Sequence, residues 1–168
     1  LNFVEDALVD DGSCEYLEEN PYIFLDLSLN ETTYSYFPGS WENSIFVGSN
    51  VFLPMNNFSG HGNLSWTGGI ELGIIDVDDE ELLIIDINEF GHSSPSNFVG
   101  INGMVFFDAD NGVNGRELWV SDGTELGTHM VKDIAPGVNN SYPYNLYSNG
   151  DLLFFTALYE DQGRELFV

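Results

Sequence analysis

The chain has 168 residues, 43% of them hydrophobic and 14% aromatic, with 28 Asp and Glu against three Lys and Arg for a formal net charge of −25. That is ample material for a packed core and excludes a disordered acidic tail. So one-sided a negative field disfavours nucleic acid and anionic lipid headgroups and favours cations and cationic partners. No apolar run approaches the roughly 18 residues of a membrane span, so no membrane insertion is expected from this segment.

In chain order, residues 1–20 come first, an acidic and irregular stretch with Asp6, Asp10, Asp11, Glu15, Glu18 and Glu19 ahead of Pro21. They read as a linker or as the end of a small preceding module. Cys14 is the single cysteine and lies in Asp10-Asp11-Gly12-Ser13-Cys14-Glu15-Tyr16, too polar for a core. It points to a disulfide partner outside this sequence. From Tyr22 the texture changes to short apolar, β-branched and aromatic runs: Tyr22-Ile23-Phe24-Leu25, Ser44-Ile45-Phe46-Val47, Leu82-Leu83-Ile84-Ile85, Met104-Val105-Phe106-Phe107 and Leu152-Leu153-Phe154-Phe155. Each has strand length, and runs apolar on both faces suit strands stacked between neighbouring sheets.

The later part repeats. Gly115-Arg116-Glu117-Leu118-Trp119-Val120 returns as Gly163-Arg164-Glu165-Leu166-Phe167-Val168, 48 positions later (163 − 115). Asn97, Phe106-Phe107 and Ala109 return as Asn145, Phe154-Phe155 and Ala157, and Asn102-Gly103 as Asn149-Gly150. An older copy lies upstream, where Phe46-Val47-Gly48-Ser49-Asn50 resembles Phe98-Val99-Gly100-Ile101-Asn102. Periods of about 40 to 50 residues built from short strands mark propeller blades. The expected architecture is all-β, tandem four-stranded antiparallel blades forming a partial β-propeller, with units at about 21–87, 88–135 and an incomplete 136–168. One complete unit has strands at about 97–101, 103–109, 116–121 and 128–134. Asn102-Gly103 and Asn149-Gly150 signal hairpins, and Asp122-Gly123 turns the chain after the Glu-Leu-Trp strand. The chain opens on Leu1 and stops at Val168 in mid-phrase, so it is expected to be a piece of a larger protein whose neighbouring blades are its first partners.

Glu117-Leu118-Trp119-Val120-Ser121-Asp122-Gly123-Thr124, with Gly127-Thr128, Val131-Lys132-Asp133-Ile134 and Pro136-Gly137, resembles a family of extracellular prokaryotic repeat proteins named for their Glu-Leu-Trp-x-x-Asp-Gly-Thr phrase. The resemblance covers 97–168 and, more faintly, 40–96, where Leu64-Ser65-Trp66-Thr67-Gly68-Gly69 reads as a worn copy of the phrase. It implies blade-like units on large secreted or surface proteins and brings no catalytic residues. Asp6-Ala7 and Asp10-Asp11-Gly12-Ser13-Cys14 resemble the end of an Asp-rich, thrombospondin type 3-like repeat, whose upstream cysteine would precede Leu1.

Calcium is the one cofactor the sequence suggests, and the acidity has a simpler account in solubility at high salt, where repulsion is screened over a short distance. Its candidate ligands are Asp10 and Asp11 in the N-terminal module and Asp108 and Asp110 in Asp108-Ala109-Asp110-Asn111-Gly112, which opens like an oxygen-ligand loop. A polar hairpin turn is the competing account there, because the twelfth position that should carry a bidentate Glu is Trp119. Asp76-Val77-Asp78-Asp79-Glu80-Glu81 reads as a solvated loop or a loose cation site. Asp122 reads as the cap of its own turn, Trp119 and Phe167 as core, and Arg116-Glu117 and Arg164-Glu165 as a recurring structural ion pair. His61, His92 and His129 share no spacing and have no cysteine partner, which leaves zinc unsupported. The function expected is non-enzymatic adhesion or ligand display, with an extracellular protein or glycan as partner. The alternative is a glycan-acting hydrolase or lyase with a carboxylate site where blade loops converge.

Overall fold

The apolar runs become strands, and strands pair only with their neighbours in sequence. In a computed structural model that describes residues 43–56, 69–79 and 81–168, all within the unit Tyr34–Val168, they form three small antiparallel sheets. The first sheet is β1 (Ile45–Val47), β2 (Asn50–Asn56), β3 (Ile70–Asp76) and β4 (Glu81–Ile85). The second is β5 (Ser96–Ile101), β6 (Met104–Asp110), β7 (Arg116–Ser121) and β8 (His129–Lys132); the third is β9 (Tyr144–Ser148), β10 (Leu153–Leu158) and β11 (Arg164–Phe167). Each sheet is an up-and-down meander in chain order, and β11 forms the outer edge of the third. The all-β expectation and the repeated small sheets therefore hold. The described residues form no closed ring of sheets.

In the second sheet the observed strands follow those read from the sequence, except that β8 stops at Lys132 rather than running to 134. The reason is local: the N–H groups of Ile134 and Ala135 turn away from the ladder to bond the Glu117 carboxylate. Two further strands, β2 and β3, are hidden in the sequence by Pro54 and Gly73. Pro54 is tolerated because β1 pairs only with Asn50 to Phe52, so nothing beyond needs the missing N–H. Gly73 is needed because a Cβ there would overlap the Met55 side chain.

The two repeated Asn-Gly turns differ. Asn102 (φ 52°) and Gly103 (φ 80°) both lie in the left-handed region and close a two-residue hairpin loop. The later hairpin has the same number of residues, since Tyr147 pairs with Phe154 as Val99 does with Phe106. Its last pair is Ser148 with Leu153, leaving a four-residue loop in which the Asn149 side chain accepts from the N–H groups of Asp151 and Leu152. The Asn-Gly step sits one residue earlier in this hairpin, which is why the repeat spacing is 47 at Asn149 but 48 at Asn145 and Phe154.

Two apolar layers hold the sheets together. Phe52, Leu72, Ile74 and Ile85 of the first sheet meet Val105, Phe107, Ala109 and Trp119 of the second, with Met130 of β8 packed against them. The other face of the second sheet, through Leu118 and Phe106, meets Phe155, Ala157 and Phe167 of the third. Rings also stack within the sheets, Phe98 on Phe107 across β5 and β6 at 5.5 Å and Phe155 on Phe167 across β10 and β11 at 5.2 Å between centroids. Each fully buried Phe or Leu in such a layer contributes about 1.5–3 kcal/mol.

Candidate functional site

Two glutamates with no exposed surface, Glu71 on β3 and Glu117 on β7, sit at the same place in successive sheets. Glu117 Oε2 accepts from the N–H of Ile134 (3.0 Å) and the hydroxyl of Ser141 (2.6 Å), and Oε1 from the N–H groups of Ala135 (3.2 Å) and Ser141 (3.2 Å). Glu71 Oε2 accepts from the N–H groups of Ile87 (2.9 Å) and Asn88 (3.2 Å), and Oε1 from that of Ser93 (3.0 Å). Each carboxylate thus fastens the segment that leads from its own sheet into the next. Burial pushes both carboxyls above their ordinary value, working against these hydrogen bonds, which lower it.

The segment so held has its own repeated grammar. Ser93-Ser94-Pro95-Ser96-Asn97 and Ser141-Tyr142-Pro143-Tyr144-Asn145 match at one repeat spacing. Ser94 (φ 44°) and Tyr142 (φ 46°) are left-handed just before a proline, and Asn97 (φ 56°) and Asn145 (φ 54°) are left-handed where the ladder is irregular. The first turn points a carbonyl at an arginine: Arg116 Nη1 donates to Ser94 O (3.0 Å), and Arg164 Nη1 to Tyr142 O (3.0 Å).

These contacts revise the ion pair expected between Arg116 and Glu117. The partner of Arg116 is Asp108, 2.5 Å away across the β6–β7 ladder, while Glu117 bonds backbone. Asp108 is 2% exposed, and its other oxygen accepts from Ser96 Oγ (3.0 Å) and Asn97 Nδ2 (2.7 Å). In the third sheet Thr156 stands where Asp108 does, and Arg164 Nη1 donates to its carbonyl (3.1 Å) and hydroxyl (3.3 Å).

Of the four candidate calcium ligands, Asp10 and Asp11 lie outside the described residues, as do Cys14, His61 and the Leu64-Ser65-Trp66 stretch. Asp108 faces Arg116, and Asp110 Oδ1 accepts from the Gly112 N–H (2.7 Å) to cap its own turn. The two therefore serve separate structural ends in this geometry. Among the described residues no group of three or more His, Cys, Asp or Glu is placed to hold a metal. His92 accepts the Ile70 N–H (2.9 Å), and His129 is exposed at the start of β8.

Asp122 ends the Glu-Leu-Trp strand and accepts from the Thr124 N–H (2.9 Å) and hydroxyl (2.7 Å). Asp76 does the same after β3, accepting from the N–H groups of Asp78 (2.9 Å) and Asp79 (3.2 Å). The Thr124 bonds hold the Asp122 carboxyl below its ordinary value, and the Asp78 and Asp79 bonds do so for Asp76. With Glu71 and Asp76 at its ends, the first sheet's version of the phrase is Glu71-Leu72-Gly73-Ile74-Ile75-Asp76. This sets the register that Leu64–Gly69 was expected to supply. The readable signal was Glu-Leu followed by Asp four positions on, one repeat ahead of Glu117-Leu118 and Asp122.

Glu165, the third member of the glutamate series, is exposed on β11. Beside that strand a groove of about 510 Å³ opens between the second and third sheets, bounded by Phe106, Leu118, Val131, Ile134, Phe155 and Phe167. Its lining is mainly apolar. Among the described residues no helix is long and apolar enough to cross a membrane. No family model, curated protein or solved structure matches the chain.

Proposed function

We infer that the chain is a non-enzymatic β scaffold, a run of propeller-like blades that serves adhesion or ligand display in a larger secreted or cell-surface protein. The observation that carries this reading is the repetition of its polar groups in structural roles. Glu71 and Glu117 each bind the backbone of the following connection, and Arg116 and Arg164 each bind the carbonyl of a left-handed residue that leads into the strand two places away in the sheet. A group spent in the same way in successive sheets is part of the frame, whereas a reacting centre is assembled once. The acidity supports an extracellular setting and a cationic or glycan partner, since a surface of charge −25 repels other polyanions.

The test is to incubate the chain with acidic and neutral polysaccharides, following both binding and the release of new reducing ends. The scaffold reading expects binding of neutral rather than acidic chains, without release. Turnover that is lost on substituting Asp76, Asp78 or Asp108 would replace it with a carboxylate-based glycan-cleaving enzyme.

A further inference from the structure

The sequence holds four Asn-Gly steps, Asn102-Gly103, Asn111-Gly112, Asn114-Gly115 and Asn149-Gly150, and all four are described. Such a step invites attack by the glycine nitrogen on the asparagine Cγ, because glycine has no Cβ to obstruct ring closure. The attack needs a mobile carboxamide and an unengaged N–H. Three of the steps lack them. Asn111 Oδ1 accepts from the N–H groups of Val113 (3.0 Å) and Asn114 (2.8 Å), while the Gly112 N–H donates to Asp110 Oδ1 (2.7 Å). Asn149 is held in the same way by Asp151 and Leu152, and the Gly150 N–H donates to Ser148 Oγ (2.9 Å). The Asn114 carboxamide is tied at both ends, accepting from Asn111 Nδ2 (3.1 Å) and donating to Asp133 Oδ2 (3.0 Å), and Gly115 is buried. Asn102 and Gly103 are both exposed, and among the described residues no hydrogen bond holds the Asn102 carboxamide or the Gly103 N–H. A Cβ on Gly103 would meet nothing within 4 Å, so the turn has room to move. The step joins β5 to β6 in the second sheet, which packs against a sheet on either side.

We propose that Asn102 is a site of covalent self-modification, a deamidation in which the chain supplies its own nucleophile and water is the only co-reactant. The Gly103 nitrogen bonds to Asn102 Cγ and closes a succinimide ring. The Cγ–Nδ2 bond breaks, and the carboxamide nitrogen leaves as ammonia with the proton given up by the Gly103 N–H. Water then opens the ring at one of its two carbonyls. Cleavage of the new bond to Cγ gives an aspartate, and cleavage of the original peptide bond gives an isoaspartate whose main chain runs through Cγ. To reach Cγ the Asn102 backbone must leave its φ of 52°, a rotation resisted mainly by the Ile101–Met104 pair that closes the hairpin. The two products act differently on that hairpin. Aspartate tolerates the left-handed conformation and keeps the turn. Isoaspartate adds a backbone carbon to a two-residue loop whose fit depends on positive φ at both positions, so the closing pair opens and the end of β5–β6 frays. The inference rests on the environments of the four steps and is independent of the biological role proposed above.

The experiment incubates the full 168-residue chain in mildly alkaline buffer, folded and in parallel in denaturing urea, and maps timed samples by mass spectrometry with isoaspartate resolved from aspartate. In the folded chain Asn102 should convert about tenfold or more faster than Asn111, Asn114 or Asn149, the scale of the two hydrogen bonds that those steps must first break. Isoaspartate should accumulate at position 102, and the rate should rise with pH as the attacking nitrogen loses its proton. In urea the four steps should convert at similar rates, since the hydrogen bonds that separate them are gone. Amide exchange at Met104 should quicken as isoaspartate accumulates. Equal rates at the four steps in the folded chain, or a faster rate at any of the other three, would overturn the proposal. So would conversion at position 102 to aspartate with no isoaspartate, which would mean direct hydrolysis, and so would an Asn102 that stays intact in the folded chain while the unfolded chain converts fully.

Discussion

Glu71 and Glu117 hold equivalent positions one repeat apart, and each gathers backbone N–H groups from the connection that leads into the following sheet. Such a carboxylate satisfies several backbone donors at once in a buried place where each would otherwise be stranded. Removing it should be felt well beyond one side chain. Glu117→Ala is expected to lower unfolding free energy by about 3 kcal/mol or more, since three buried N–H groups lose their acceptor. Glu117→Gln should cost somewhat less, because it keeps one acceptor oxygen but turns an NH₂ group toward donors. Glu165→Ala, at an exposed position, should stay within about 0.5 kcal/mol. Urea titrations of the three variants check the order.

The pH dependence follows from the same pair. Their carboxyls titrate above the ordinary 4.5 when folded, so the folded state holds protons more tightly than the unfolded one. The associated stability is fully present below 4.5 and is lost as pH rises through the folded values. Asp76 and Asp122 act oppositely: their folded values lie below 3.8, so their contribution is present above 3.8 and lost as pH falls through those lower values. Thermal melts should therefore give a higher Tm near pH 5 than at pH 7, with a fall in stronger acid. Relief of repulsion among the acidic residues works in the same direction but is screened by salt. The share due to the buried pair is the part that persists in high salt and shrinks in Glu117→Gln.

Asp108 and Thr156 occupy one repeat position with different chemistry, and each bonds the arginine of its own sheet. Asp108→Ala leaves Arg116 without its carboxylate and should destabilise by about 3–5 kcal/mol, the scale for removing one member of a buried pair. Asp108→Thr copies the third sheet and should recover part of that loss. Equal losses in the two variants, measured by denaturant unfolding, would show that the hydroxyl cannot substitute in this setting.

Gly115 and Gly163 also share a position, both with positive φ, at 69° and 86°. A Cβ on Gly115 would overlap the Asn139 carbonyl, whereas one on Gly163 would meet nothing within 4 Å. Gly163→Ala should cost about 1–3 kcal/mol, because φ 86° with ψ −149° is a backbone region nearly confined to glycine. Gly115→Ala should add about 1–3 kcal/mol of overlap to its own backbone penalty. The comparison of melting temperatures isolates steric crowding from backbone preference.

The repeat made the sheets readable because strand-length apolar runs, Asn-Gly turns and the doubled phrase all agree on the same period. The polar frame was harder to read. Glu71 was hidden because Ile70 replaces the arginine and Gly73 the tryptophan of the later phrase, which left only Glu-Leu and a distant Asp in common. Glu117 looked like the partner of Arg116 because adjacent opposite charges suggest a pair. On a strand, however, successive side chains point to opposite faces. Glu117 therefore goes with Ala109 toward the first sheet's side, and its acceptors are used by a connection residues away in sequence. The Ser-x-Pro-x-Asn match at Ser93 and Ser141 was visible, but its purpose needed the carboxylate it reaches.

The most direct test of the account is amide hydrogen exchange at Ile134, Ala135 and Ser141 in the wild-type chain and in Glu117→Ala. The latch predicts that these three amides exchange at the slow rate set by global opening in the wild type, and many-fold faster in the variant under conditions where both remain folded. Fast exchange in the wild type, or rates unchanged by the substitution, would contradict the claim that buried glutamates fasten each sheet to the next.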